Sequence, residues 1–246
     1  MRRHSWGIFP KKPKDSTSRA GMTEQSLAAI APSWELWRHL TRSEQKTLLQ
    51  SARIQSLPRF HVLFDEDEEG TFLHVLITGR LKVFKTADDE RQVVLYLMRD
   101  GETIGEHLID KPGAYGYTAE SISDSVILLL RLDALREIIR QNLSFCRGFN
   151  GLIFTRLQKA ENRMLNYRFN RTEERVCFFL KEMVEHDSRK LVTGEREIKF
   201  LMTQAFIGDM VSVSRQQVTL VLRNLAKRRI LKYNRRRLVI FRPDLL

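Results

Sequence analysis

The sequence is poor in cysteine and has no long apolar run. Its 246 residues include only two cysteines, Cys146 and Cys177, too few and too far apart for a thiolate zinc site or a four-cysteine iron–sulfur cluster. No apolar run approaches the ~20 residues that cross a bilayer, and no apolar signal-peptide segment follows Met1. We therefore expect a cytoplasmic protein without a membrane partner, and an iron–sulfur cluster is excluded.

Signatures of catalysis are absent as well. The sequence has no glycine-rich phosphate loop, no His-Glu metal motif and no nucleophile signature. Glu106 and His107 are adjacent on the chain, and two such neighbours are more often structural than catalytic. The sequence thus predicts neither an enzyme nor a metal site.

Acidic residues are scarce outside one part of the chain. The net charge is +12, yet residues 31–135 carry 12 Lys and Arg against 17 Asp and Glu, whereas residues 170–246 carry 17 against 9. A basic domain attached to an acidic one indicates a protein that binds a polyanion through its basic domain only. A merely solvated basic surface is the alternative. Residues 1–30 are basic and lack periodicity, which predicts a disordered tail.

Short apolar runs between residues 58 and 132 predict β-strands. The clearest of these runs are Val62–Phe64, Phe72–Ile77, Leu81–Phe84, Val93–Leu97 and Val126–Leu130. No helical crossover separates them, so an antiparallel sandwich or barrel is expected. Before them, Thr41-Arg42-Ser43-Glu44 is a capping-box start for a short helix.

A helical stretch without proline runs from about Leu143 to Tyr167. A seven-residue repeat within it forms a seam of Cys146, Asn150, Ile153, Leu157, Ala160, Met164 and Tyr167. A second stripe lies beside the seam and consists of Phe145, Phe149, Leu152 and Leu165. We expect this stripe to pack on the β-domain and the seam to meet a second copy of the chain. The alternative is one wide apolar face buried within a single chain.

The segment 202–225 predicts a helix-turn-helix. Thr203 can cap a short first helix, Ser212 lies in a tight turn, and Ser214 caps a second helix. The second helix has inward-facing apolar residues at Val218, Val221, Leu222 and Leu225. Two short helices on such a turn can place the second one in the major groove of DNA.

Side chains around the second helix suit double-stranded DNA. Arginine can pair with guanine and glutamine with adenine, which predicts base contacts at its exposed early positions, Arg215, Gln216, Gln217 and Thr219. DNA contacts are also expected from Thr203, Gln204 and Ser214. Backbone-positioning contacts are expected from Arg223 and from the basic tip of a β-hairpin wing, Arg235, Arg236 and Arg237. An ordinary amphipathic helix pair would explain the apolar spacing, but not the cap, turn and wing together.

The order of parts predicts an α+β fold. An N-terminal antiparallel β-roll is followed by a long dimerisation helix and a C-terminal winged helix-turn-helix. The expected segments are a basic tail over 1–30, a β-domain over 31–135, for which the family resemblance below implies a sensor role, the dimerisation helix over 136–169 and the winged helix over 170–246.

Three motifs in this order resemble the Crp/Fnr superfamily of bacterial transcription regulators, over about residues 31–241. They are Thr78–Val83, Asp100–Glu106 and Val213-Ser214-Arg215-Gln216-Gln217-Val218. The resemblance implies a cyclic-nucleotide-binding-like roll, a double-stranded β-helix, and a homodimer that reads an inverted-repeat operator. It also implies RNA polymerase and an unknown small-molecule effector as partners.

The sequence departs from the cyclic-AMP-binding members of that superfamily. Those members place an arginine for the cyclic phosphate ten residues after their Gly-Glu pair, where this chain has Gly116, and their adenine contacts fall on Ala160 and Glu161. A buried phosphate without its counter-charge is costly, so we expect no cyclic AMP bound in the family manner. The remaining pocket candidates could hold another small molecule or fill an empty site; they are Gly105, Glu106, Tyr115, Tyr117 and Thr118.

Two further departures bear on function. Haem stays open as a cofactor because His61, His74 and His107 lie in or near the roll. The family's Arg-Glu pair on the recognition helix becomes Arg215-Gln216, which predicts a half-site with adenine where a glutamate would accept from cytosine. The alternative function is a haem- or small-ligand-sensing module that acts mainly through protein contacts.

Overall fold

A computed structural model describes residues 34, 36–87, 92–200, 202–234 and 237–246. The chain divides into two compact units, and the division falls within one long helix, between Arg156 and Leu157. The predicted tail over 1–30 and the wing residues Arg235 and Arg236 lie outside the described residues. None of the helices in these ranges is both long and apolar enough to span a bilayer.

The first unit contains two antiparallel sheets, which confirms the predicted β-roll. Their strand orders are β1-β8-β3-β6 and β2-β7-β4-β5. The strands are β1 (Arg53–Leu57), β2 (Val62–Phe64), β3 (Phe72–Thr78), β4 (Leu81–Thr86), β5 (Gln92–Met98), β6 (Thr103–Ile104), β7 (Thr118–Ser121) and β8 (Ser125–Arg131). Three of them, β1, β6 and β7, were not among the predicted runs, because all three are short and β1 and β7 are rich in polar residues.

The roll is closed at one side by its N-terminal helices. A 3-10 turn (Leu36–His39) precedes helix α1 (Arg42–Ser51), which begins at the predicted capping box: Glu44 N donates to Thr41 Oγ1, and Thr41 N donates to Glu44 Oε2 at 2.7 Å. Trp34 and Trp37 are buried against the roll with their rings edge to face. Burying such large apolar rings contributes strongly to the stability of this core.

The long helix forms as predicted and packs its second stripe on the roll. A short helix, α2 (Leu132–Gln141), leads into α3 (Leu143–Phe169). Phe145 is fully buried and Phe149 is nearly so, and Leu152 packs against the same core. Leu165 belongs to the stripe only by spacing, because it is exposed.

The second unit is a small helical domain with a four-stranded sheet of order β11-β12-β10-β9. Its elements are α4 (Thr172–Asp187), β9 (Ser188–Lys190), β10 (Arg196–Ile198), α5 (Gln204–Val211), α6 (Arg215–Lys227), β11 (Leu231–Tyr233) and β12 (Leu238–Ile240). The four apolar residues predicted on the second helix are all buried in its core. The helix-turn-helix and wing are thus present.

Candidate nucleic-acid interface and β-roll pocket

Hydrogen-bonded caps fix the ends of the two helices of the helix-turn-helix. Phe206 N donates to the Thr203 hydroxyl at 3.0 Å, and Gln217 N donates to the Ser214 hydroxyl at 3.2 Å. Ser212 ends α5 in a left-handed conformation, with φ 55°. These hydrogen bonds and this backbone conformation confirm the predicted caps and turn.

A glycine lets the turn fold back tightly on α5. A β-carbon at Gly208 would lie 2.6 Å from the carbonyl oxygen of Val213, and Val213 N donates to Gly208 O at 3.0 Å. Any larger residue at this position would push the turn away from the helix, which typically destabilises a packed core by about 1–3 kcal/mol. Gly208 therefore sets how closely α6 follows α5.

The residues predicted for base contacts fall into two groups. Arg215 and Gln216 are exposed at the start of α6. Gln217 also completes a capping box, because Ser214 N donates to its Oε1 at 2.9 Å. Thr219 and Gln204 contact one another, with 2.8 Å between Thr219 Oγ1 and Gln204 Oε1. The geometry thus leaves Arg215 and Gln216 as the outward-facing pair.

Two of the basic residues have partners that the sequence did not reveal. Arg228, at the end of α6, pairs with Glu173 on α4 at 2.9 Å. Arg237, predicted as part of the basic wing tip, pairs with Glu197 of β10 at 2.5 Å. Arg223 is exposed along α6. The wing therefore includes an acidic partner as well as cations.

The predicted pocket residues of the roll are only partly brought together. Tyr115 is core: its hydroxyl donates to Phe72 O at 3.1 Å and its ring stacks on Phe64. The buried Thr118 hydroxyl accepts from Glu66 N. The polar atoms of these two predicted pocket residues are therefore bonded to neighbouring backbone.

The other pocket candidates are hydrogen-bonded in two separate sets: Gly105 bonds to Tyr117, and Glu106 bonds to Thr103 and Arg156. Gly105 N donates to the Tyr117 hydroxyl at 3.1 Å, and that hydroxyl lies 3.3 Å from His107 Nδ1. Burial raises the pKa of Tyr117, so its phenol is neutral. The left-handed Gly105 turn, with φ 100°, directs its amide toward the phenol instead of toward solvent.

Arg156 of α3 is the charged partner of Glu106. Its Nη1 pairs with the buried Glu106 carboxylate at 2.9 Å, its Nη2 donates to Thr103 O at 2.6 Å, and its guanidinium lies over the ring of Tyr96. Burial opposes the charge of Arg156, but the adjacent Glu106 outweighs that effect and the pKa of the guanidinium is raised. The spacing of Arg156 from the buried stripe, four residues beyond Leu152, is the signal that could have identified it.

The histidines of the roll do not meet. His74 is buried against Phe64, Phe72 and Tyr115, and its Nδ1 has no hydrogen-bond partner among the described residues. Burial lowers its pKa to about 3. In the described ranges, no three His, Cys, Asp or Glu side chains cluster as metal ligands.

The predicted seam of α3 lies on an exposed apolar face, with one exception. Ile153, Leu157 and Met164 are 40%, 51% and 70% exposed; Asn150 and Ala160 are exposed too, and Cys146 is half-buried. Phe154, Leu165 and Phe169 widen the face. Tyr167 is the exception, because its hydroxyl donates to Met210 O, in α5, at 2.5 Å.

Two family models match the chain. A cyclic nucleotide-binding domain matches residues 54–142, and a Crp-like helix-turn-helix domain matches residues 174–246. A CRP-like cAMP-activated global transcriptional regulator of Mycobacterium tuberculosis is 27% identical over 171 residues, which is 70% of this chain and 76% of the relative.

Solved structures share the fold. FixK2 from Bradyrhizobium japonicum superposes with a TM-score of 0.69 at 24% identity, covering 79% of this chain and 94% of FixK2. The c-di-GMP responsive global regulator CLP of Xanthomonas campestris has a TM-score of 0.68 at 15% identity, covering 82% of this chain and 99% of CLP.

Proposed function

The chain belongs to the Crp/Fnr family of DNA-binding transcription regulators, and on that premise we propose that it reads an inverted-repeat operator as a homodimer. The observation that carries the proposal is the start of α6, where a capped helix presents Arg215 and Gln216 outward. Side chains at the beginning of a recognition helix reach base edges in the major groove.

The exposed face of α3 supports the homodimer. It presents large apolar side chains over several turns, and more than half of the side chain is exposed at Leu143, Phe154, Leu157, Met164, Leu165 and Phe169. An exposed apolar surface of this extent on one helix is typical of a protein interface. Pairing through this face would bring two copies of the chain together, and an inverted repeat requires their two α6 helices to lie about 34 Å apart, one DNA turn.

Binding-site selection from random duplexes tests the operator proposal. We expect an inverted repeat with guanine opposite Arg215 and adenine opposite Gln216. Arg215→Ala should cost about 1–3 kcal/mol of discrimination at one base pair in each half-site. Competition anisotropy with single-base operator variants measures this loss.

Arg223→Ala is the matched control, since it removes an exposed arginine later on the same helix. It should weaken binding to operator and random DNA alike. Equal losses on both kinds of DNA for Arg215→Ala would remove Arg215 from base readout. Failure to select any sequence would favour a module that acts through protein contacts.

We propose further that cyclic AMP is not the signal and that the roll pocket is filled by its own side chains. The Gly105 amide and the Glu106 carboxylate, the two polar groups of the Gly-Glu motif, already bond to Tyr117 and Arg156. A ligand would have to displace both bonds and leave buried polar groups unpaired, which typically costs 1–3 kcal/mol for each group.

Cyclic AMP should accordingly change neither the melting temperature nor the operator affinity. A ligand with 100-fold excess over its Kd stabilises a protein by about 2.7 kcal/mol, which a thermal shift detects easily. The cAMP-activated relative of M. tuberculosis serves as the positive control in the same assay. A concentration-dependent shift of this protein would contradict the filled-pocket proposal and leave the DNA-binding proposal intact.

A further inference from the structure

We propose that the outer face of the wing sheet is a second DNA-phosphate surface, ordered by Glu197. The proposal rests on DNA binding by the neighbouring α6. In the sheet register, Glu197 of β10 lies opposite Arg189 of β9 on one side and Val239 of β12 on the other, and Val239 lies opposite Lys232 of β11. Directly paired residues share a face of a sheet. Lys232, Val239, Glu197 and Arg189 therefore form one row across it.

The opposite face of the same sheet belongs to the core. Ile198, Leu231 and Ile240 occupy the alternate positions of their strands and are all buried. Because side chains alternate between the two faces, the row that contains Glu197 cannot also face the core. It lies on the other face of the wing sheet, where Lys232 and Arg189 are exposed and Val239 and Glu197 are covered.

Glu197 holds two guanidinium groups at this surface. Its Oε1 accepts from Arg237 Nε at 2.5 Å, and its Oε2 accepts from Arg189 Nε at 2.7 Å and Nη2 at 2.6 Å. The Glu197 side chain is 7% exposed, whereas those of Arg237 and Arg189 are 52% and 67% exposed. Hydrogen bonds from Arg237 and then Arg189 lower the pKa of Glu197, so the carboxylate is ionised.

This arrangement presents cations to solvent in a fixed position. An arginine has five N–H donors, and Glu197 uses one from Arg237 and two from Arg189. Both guanidinium groups stay more than half exposed and Lys232 is exposed too, and three cations against one carboxylate leave a net positive charge. Guanidinium forks bind phosphate oxygens in pairs, and side chains that are already ordered lose less entropy on binding.

The occupant that fits is the DNA backbone. Arg237, which its ion pair with Glu197 joins to this row, belongs to the wing hairpin that follows α6, where Asn234 N donates to Arg237 O and Arg237 N donates to Asn234 Oδ1. The row therefore continues the interface predicted for the wing. An acidic protein is a different occupant, and the experiment below separates the two.

Glu197→Gln distinguishes a positioning role from a purely electrostatic one, because the two roles predict opposite changes in DNA affinity. Removing a negative charge near DNA should by itself strengthen binding. If Glu197 positions the two arginines, its replacement should instead weaken binding about 5- to 10-fold, equally on operator and random duplexes, and flatten the salt dependence. Each phosphate contact contributes about 0.9 to the slope of log K against log salt. Anisotropy titrations between low and physiological KCl measure both quantities.

Two further variants complete the test. Glu195→Gln is the matched control, because it removes a partly exposed carboxylate of the same hairpin that bonds to Thr193 and, among the residues that the structure describes, to no arginine; we expect its affinity to be unchanged or slightly higher. Arg189→Ala leaves the Glu197–Arg237 pair in place and should reduce the salt slope by about one. Glu197→Gln behaving like Glu195→Gln, or Arg189→Ala leaving both affinity and slope unchanged, would overturn the proposal, and an acidic protein would then be the better occupant. Sequence-selective binding by the unsubstituted protein keeps these outcomes distinct from failure of the proposed function.

Discussion

Leu157→Asp is expected to convert the protein from dimer to monomer and to lower its operator affinity by about 100-fold or more. Leu157 is half-exposed in the middle of the seam, between Ile153 and Met164. A carboxylate there would be buried without a partner in the dimer, and burying an unpaired charge is strongly unfavourable. A monomer contacts only one half-site. A loss of about 2.8 kcal/mol of binding free energy already lowers the affinity 100-fold.

Sedimentation and anisotropy measured at the same protein concentrations check this expectation. Thr155→Asp is the matched control, since Thr155 is exposed on the same helix away from the seam and its hydroxyl bonds to Gly151 O. It should remain dimeric and bind normally. A Leu157→Asp protein that stays dimeric would show that the seam prediction is wrong.

Acid should destabilise the β-roll through His74. Its pKa of about 3 in the fold lies below the ~6.5 of an unfolded histidine, so the unfolded state binds the proton more readily between these values. The contribution of neutral His74 to the free energy of unfolding is therefore fully present above about pH 6.5, and it is lost progressively as the pH falls toward 3. Between pH 7.5 and pH 5 we expect the free energy of unfolding to fall by about 2 kcal/mol from this group.

Urea unfolding followed by tryptophan fluorescence reports on this unit, because Trp34 and Trp37 are buried in its core. His74→Phe keeps a ring among the neighbouring aromatic side chains and removes the titration, so its stability should depend less on pH in this range. His186→Gln, an exposed histidine of α4, is the control and should follow the unsubstituted protein. Equal pH dependence in all three proteins would exclude His74 as the origin.

Features that depend on neighbouring residues could be predicted from the sequence. The Thr41–Glu44 capping box, the caps at Thr203 and Ser214 and the left-handed turn at Ser212 all formed as expected. Their hydrogen bonds span three or four residues, so the spacing alone determines the partners. The buried stripe of α3 was equally visible, because the helical period determines which residues share a face.

Features that depend on distant partners could not be predicted. Glu106 and Arg156 are 50 residues apart, and Arg237 meets Glu197 over 40 residues. Only the sheet register and the path of α3 bring these charges together. The strands that carry Arg189 and Glu197 are three residues long and polar, so no alternation identified them.

Tyr167 shows why a heptad reading fails toward its end. A straight α-helix drifts by about 20° in each heptad relative to a strict seven-residue repeat. From Cys146 to Tyr167 the repeat runs for three heptads, so the last position has rotated by about 60° from the first. The Tyr167 hydroxyl consequently meets Met210, while Leu165 and Phe169 occupy the exposed face.

The network around Arg156 has a consequence for how such a regulator could be controlled in the cell. If Arg156 and Tyr117 fill the roll pocket, as proposed above, the state that binds DNA forms during folding and needs no metabolite. The amount of active protein then follows synthesis and degradation of the chain. A cell would adjust the response by changing the abundance of the regulator, and the delay of that response would be set by the lifetime of the protein.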